Sequence, residues 1–444
     1  MNTTNDWLNK LKHKLAPSSS WADQRRYEAL QLLANIEGDC NWAAMTAHQN
    51  GFIREVAVRE LCSHPSPEAL VALIERLNDW VPQIRDLAGA GLKQYLSATH
   101  AQALLSALVP LMALASRSRA DHGPTLLAVR AVLQSPGIRQ AVHEDFLTRQ
   151  GKAARYLFAL LLQGNTDPQL LVRSALAHRE LTVRLLAVSA CKELPAEQAR
   201  TLLHEALPRP GAKVRVCILR ALLPLLDDPK PVLRESLIDI SASIRAFARW
   251  AAPKNGLDAH DVLAAQLNQA LPTAKRGWLG TLGLTAELNA VLPSSWHKAA
   301  LRSVYPTVRL AAVHLLREDQ LREMFNALDD PCDQVFFAAI ARLNEQPCNS
   351  IKSELNTQLS RDWPSLPVAR GQAVLRLLPG WQQLAYLLNR LDTEQTLQAF
   401  WRRQVNMWRD RQYLMIDPVT PKAEREALAK RLQKLEPLLG QWSM

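Results

Sequence analysis

The chain has 444 residues, of which 48% are apolar and only 6% aromatic. That is more than one globular core usually holds, so the length implies several domains or an elongated repeat array. The scarcity of β-branched and aromatic runs leaves little from which to build strands. The formal charge of +11 is mild over this length; it permits nucleic acid or an acidic protein surface as a partner and demands neither.

In chain order, residues 1–22 read as a polar arm carrying Lys10, Lys12 and Lys14, with a short helix before "APSSS". The arm has neither the apolar core nor the small-residue cleavage site of a secretory leader. The least charged stretch, 94–116, is interrupted by Pro110 and is a poor membrane span. The expectation is a soluble, cytoplasmic chain without membrane association. Cys40, Cys62, Cys191, Cys217, Cys332 and Cys348 form no C-x-x-C pair and sit among apolar residues. They are expected to be small core residues in a reducing compartment.

"TVRLLAV" at Thr182 returns as "TVRLAAV" at Thr307, 125 residues later. The shared pattern is an apolar residue, an arginine, and a small or apolar residue three places on. It recurs at Ile53-Arg54, Ile84-Arg85, Val183-Arg184, Val214-Arg215, Ile244-Arg245 and Val308-Arg309, with weaker copies at Arg25, Arg155, Arg276 and Arg370. From Arg25 to Arg309 successive arginines are 29 to 33 residues apart, except that the 70 residues from Arg85 to Arg155 hold two units, one obscured near "SRSRADHGP". Such a period, rich in helix formers, accommodates two helices and two turns. Val183, Ala187, Ala190 and Leu194 would share one helical face, as would Val214, Ile218, Ala221 and Leu225. Second helices are expected at "SPEALVALIERL", "PAEQARTLLHEAL", "LDAHDVLAAQL" and "EDQLREMFNAL". Prolines fall mainly between helices, where they start or break turns.

An apolar-Arg-x-x-Ala motif opening a helix at a period near 31 resembles the HEAT-repeat family, and within it the short bacterial PBS-lyase HEAT-like repeats. The resemblance covers residues 23–392. It implies an all-α fold: a right-handed α-solenoid of about 11–12 stacked helical pairs. HEAT repeats often place an aspartate six residues before the arginine, where the two form a ladder along the stack. Asp79/Arg85 and Asp239/Arg245 fit that pattern. Arg54, Arg184, Arg215, Arg276 and Arg309 have His48, His178, Arg209, Ala270 and Ser303 there instead, so those arginines need other acceptors.

Beyond Asp392 the period is lost, and residues 393–444 read as a helical C-terminal cap of two longer helices. The second is expected to start with Thr420 as N-cap and Pro421 at its first position. Its apolar stripe is Leu428, Leu432, Leu435 and Leu439. The first carries "FWRRQVNMWRDR", where Arg402, Arg403, Arg409 and Arg411 alternate with Trp401 and Trp408. Leu397, Trp401, Val405 and Trp408 share one face, so the segment is either a packed cap with a basic rim or a binding surface.

Catalytic signatures are not found. "GWLGTLG" at Gly277 is glycine-rich but follows no strand, and the histidines lack metal-ligand spacing. No catalytic residue, metal ligand or cofactor is assigned. The candidate partner- or phosphate-binding residues are the arginine column Arg54, Arg85, Arg184, Arg215, Arg245, Arg276 and Arg309, together with Arg402, Arg403, Arg409 and Arg411. Repeat-defining positions are mostly internal, which favours the column as a tie from one repeat to the next. The expected function is a non-enzymatic scaffold or adaptor that binds a protein on an extended concave surface. The alternative is a nucleic-acid-binding solenoid with a basic groove, of the kind the resemblance associates with DNA alkylation repair.

Overall fold

The computed structural model describes residues 21–35, 40–163, 167–360 and 366–439, with side chains to residue 435. The described residues form 27 α-helices and no strand. The expected arm at 1–22 lies outside them apart from Trp21 and Ala22, which open the helix Trp21–Ala34.

Short helices are started by local side chains. Asn50, Ser66, Asp167 and Asp258 each accept a hydrogen bond from the first helical turn that follows, and prolines occupy the first turns of Pro67–Arg76, Pro82–Lys93, Pro168–Leu176 and Pro306–His314. Both devices deal with amides that no intrahelical carbonyl can reach. Pro110 acts in the opposite sense. It lacks an N–H for the Ser106 carbonyl, and the run breaks at Ala107 into Ala101–Ser106 and Leu108–Leu114.

The chain divides into two compact units, 1–227 and 228–444. The division falls inside the span 23–392 that the repeat reading treats as one array. In the first unit, Gly51–Ser63 packs on Pro82–Lys93, while Gly151–Gln163 packs on Leu181–Ala190, which packs on Ala212–Leu222. Each is the arginine-bearing helix of its repeat. The intervening helices also meet: Pro168–Leu176 packs on Ala196–Ala206. Between Arg85 and Arg155 the obscured repeat is the pair Gly123–Leu133 and Arg139–Thr148. In the second unit the arginine-type helices follow one another in the same way, from Lys275–Glu287 to Pro306–His314, Asp333–Asn344 and Val368–Leu375.

The cap helices are Gln398–Arg409 and Lys422–Leu439, and both pack against Gly380–Thr393. The second starts one residue later than expected, at Lys422, because the Thr420 hydroxyl donates to Asp417 rather than capping the helix. Leu428 and Leu432 are buried and Leu435 partly so; the Leu439 side chain lies outside the described residues.

Two details of the core differ from expectation. Of the cysteines only Cys191 is buried, with its thiol pushed up to about 11 by burial; the other five are partly exposed. Val183, Ala187 and Ala190 share the buried face as expected, whereas Leu194 has left the helix and is only partly buried.

Candidate functional site: the repeat arginines and the turns beneath them

In six repeats the turn is built by the residue six places before the arginine position. Asp79, Asp239 and Asp330 each accept a hydrogen bond from the amide two residues on, at Val81, Ser241 and Cys332. His48 and His178 do the same with Nδ1, toward Asn50 and Glu180, and Ser303 does it with Oγ toward Tyr305. Aspartate, histidine and serine are interchangeable here because the turn needs only a short side-chain acceptor. Because Nδ1 of the buried His178 accepts, Nε2 carries the proton, and it donates to the Phe146 carbonyl at 2.9 Å.

The arginines then point inward. Arg54 Nη1 donates to the carbonyls of His48 and Gln49, six and five residues before it, at 2.9 and 3.0 Å. Arg245 binds the carbonyls of Asp239 and Ile240 in the same way, and Arg85 those of Asp79 and Trp80; Arg309 binds that of Ser303. The other edge of the guanidinium reaches the next repeat. Arg54 forks onto Asp79 at 2.9 and 3.0 Å, and Arg309 forks onto Asp330 at 2.6 and 2.9 Å. Each acid is the turn residue of the following repeat, so one carboxylate serves both the turn and the inter-repeat tie. Where that position is Ala270, Arg245 uses Glu287 instead, at 2.6 Å. Where it is Arg209, Arg184 donates to the Pro210 carbonyl at 2.6 Å.

These ties set the electrostatics. Burial pushes the Asp79 carboxyl up, but hydrogen bonds from Arg54 and the Val81 amide and the charges of Arg54 and Arg76 outweigh it, and the net shift is downward. Asp330 is likewise held below the usual carboxylate range, by Arg309, the Cys332 amide and Arg370, again against burial. The hydrogen bond with Asp330 raises Arg309.

Two positions escaped sequence reasoning. At the arginine position of the repeat after Arg309 stands Phe336, within "VFFAA". The carbonyls of Asp330 and Pro331 are taken instead by Arg370 of the following helix, at 2.6 and 3.0 Å, with its guanidinium 4.7 Å from the Phe336 ring. The glycines of "GWLGTLG" lie in the middle of the helix Lys275–Glu287. A Cβ on Gly280 would stand 1.8 Å from the Ile238 carbonyl oxygen, and one on Gly283 would stand 2.5 Å from the Arg245 guanidinium. They are absences of side chain that let this helix approach the preceding turn.

Of the column, Arg54, Arg215 and Arg245 are buried, Arg85, Arg184 and Arg309 are half-buried, and Arg276 is exposed while bonded to Asp239 at 3.1 Å. The C-terminal arginines form a separate group. Trp401 and Trp408 are buried, donating through Nε1 to Glu394 and to the Gly380 carbonyl, and so offer no stacking platform. Arg403 is exposed, Arg402 bonds Gln398 and Arg409 is half-buried. Arg411 donates to the Met407 carbonyl, and burial and the nearby Arg376 lower its pKa.

The same turns that draw charge inward present apolar side chains outward. The residue five before the arginine is Ile240, Leu271 and Val304 in three consecutive repeats of the second unit, with exposures of 41, 43 and 82%. In the first unit Trp80 holds this position at 66%. Among the described residues no cluster of three or more histidines, cysteines or carboxylates could hold a metal ion, and no helix is long and apolar enough to cross a membrane. No family model and no curated protein matches the chain.

Proposed function

We propose that the chain is a HEAT-type helical-repeat scaffold, its pairs stacked as a right-handed solenoid, that grips a protein partner and performs no chemistry of its own. Support for stacking comes from arginine-type helices packing in succession within each unit, from Gly151–Gln163 to Ala212–Leu222 in the first and from Lys275–Glu287 to Val368–Leu375 in the second, and from the arginine–acid ties between successive repeats. Support for a protein partner rests on one observation: the turn positions nearest the arginines expose Ile240, Leu271 and Val304 at repeat spacing while the guanidinium groups bond internal carbonyls and carboxylates. Apolar side chains in a repeated row suit a protein surface; a phosphate backbone needs outward cations.

The test places a photo-crosslinking amino acid at position 304 in the full chain, expressed in its own host at native level. One protein should crosslink in near-stoichiometric yield. Ile240→Asp with Leu271→Asp should abolish that product while leaving the helical circular-dichroism signal unchanged. A nuclease-sensitive product, or none, would overturn the reading.

A further inference from the structure

The Trp80 turn differs chemically from its counterparts in the second unit. It borders a cavity of about 530 Å³, within the range of small-molecule sites. One wall is apolar, from Pro110, Ala113 and Leu114. The indole lies at the cavity with the Arg54 guanidinium 5.3 Å from its ring centroid. Four arginines line the space: Arg54, Arg76, Arg117 and Arg119.

Their charges are not equally spent. Arg54 and Arg76 both pair with Asp79, and Arg76 also meets Glu75 at 3.7 Å. Arg117 and Arg119 come from "SRSRADHGP", the stretch that obscures the repeat, and both are exposed. Arg119 is pinned by its amide to Asn78 Oδ1 at 3.1 Å and by Nη1 to the Asn78 carbonyl at 3.2 Å. Among the described residues, neither Arg117 nor Arg119 has a carboxylate within ion-pair distance. The mouth of this cavity therefore combines an exposed indole with two cations lacking a counter-ion, beside an apolar wall.

We infer that this cavity is a binding site for a nucleoside phosphate, the base against Trp80 and the phosphate on Arg117 and Arg119. An inorganic anion would leave the indole unused, and an uncharged ring would leave the two arginines unused. Every nucleobase offers a π face to an indole, and a guanidinium matches two phosphate oxygens at once. A space lined by one turn and its neighbours also fits a mononucleotide better than a strand, which needs a continuous groove. This site is independent of the protein-binding row of the second unit, so either proposal can fail without the other.

The experiment is calorimetric titration of the full chain at low salt with AMP, ADP, ATP, GMP and UMP, beside adenosine, inorganic phosphate and a twelve-base oligonucleotide. At least one nucleoside phosphate should bind at one site per chain, with adenosine and inorganic phosphate each weaker by about tenfold or more. Trp80→Ala, and Arg117→Glu with Arg119→Glu, should each weaken it by about tenfold or more, while Trp80→Phe retains most of the affinity. All three positions are exposed, so unchanged thermal melting is expected to show that the variants fold. Three results would overturn the assignment: no nucleotide binding tighter than roughly 1 mM, equal binding of inorganic phosphate, or binding that survives both sets of substitutions.

Discussion

Six residues before a repeat arginine, aspartate does two jobs and histidine or serine does one. Read as a salt-bridge ladder, "His48", "His178" and "Ser303" look like lost partners. In space they still close the turn, because a ring nitrogen or hydroxyl accepts the same amide. What a single sequence could not reveal is that the carboxylate accepts from the arginine of the preceding repeat: Arg54 donates to Asp79 and Arg309 to Asp330. The pairing is offset by one unit, so each repeat read alone appears incomplete. The lowered Asp330 carboxyl makes a pH prediction. A folded-state pKa below the unfolded value of about 3.9 gives stability that is present above that pH. That stability is lost as pH falls through the folded value. Asp330→Asn should therefore lower the urea midpoint at neutral pH, and the gap from the parent should narrow below about pH 4. A gap that stays constant down to about pH 3 would show that ionisation of Asp330 contributes nothing.

Among elements, helix existence was legible from the 31-residue period and helix phase from the Val183, Ala187 and Ala190 face. Leu186 is the instructive residue. It belongs to the best-preserved motif, yet it is 42% exposed, since it falls between buried Val183 and Ala187 on the outer side. Leu186→Ala is accordingly expected to cost far less than a core leucine. The first cap helix ends at Arg409 with Asp410 as its C-cap, just past Trp408, the last residue of its apolar stripe. The glycines of Lys275–Glu287 were illegible for a different reason: a missing side chain signals close approach only once the neighbouring backbone is known. Gly280→Ala should drive that helix off the Ile238 carbonyl and cost about 1–3 kcal/mol, the range for overpacking, read as a lower urea midpoint. An unchanged midpoint would mean that the two segments are not in contact.

For the molecule as a whole, composition announced an all-helical chain, and the structure is all-helical through its described residues. The division at Asp227–Asp228 was not legible, since the repeat motif runs through it from Arg215 to Arg245 without a change of period. The role of the arginines was open in the sequence for a physical reason: a guanidinium at a helix start can serve a phosphate or a carbonyl equally well, and only the position of the acceptors decides. For Arg54, Arg85, Arg184, Arg245 and Arg309 those acceptors lie in the turn before the arginine or in the next repeat. The central claim is that these arginines are ties between repeats, and a double-mutant cycle tests it most directly. Urea unfolding would be measured for Arg54→Ala, Asp79→Ala and the double variant in the first unit, and for Arg309→Ala, Asp330→Ala and their double in the second. Each Arg54 or Asp79 single variant should lose about 3 kcal/mol or more, as for a buried pair left with one partner. Both doubles should cost less than the sum of their singles by about 1 kcal/mol or more. Arginine variants that unfold like the parent, with coupling near zero, would contradict the account and return the arginines to an outward, ligand-binding role.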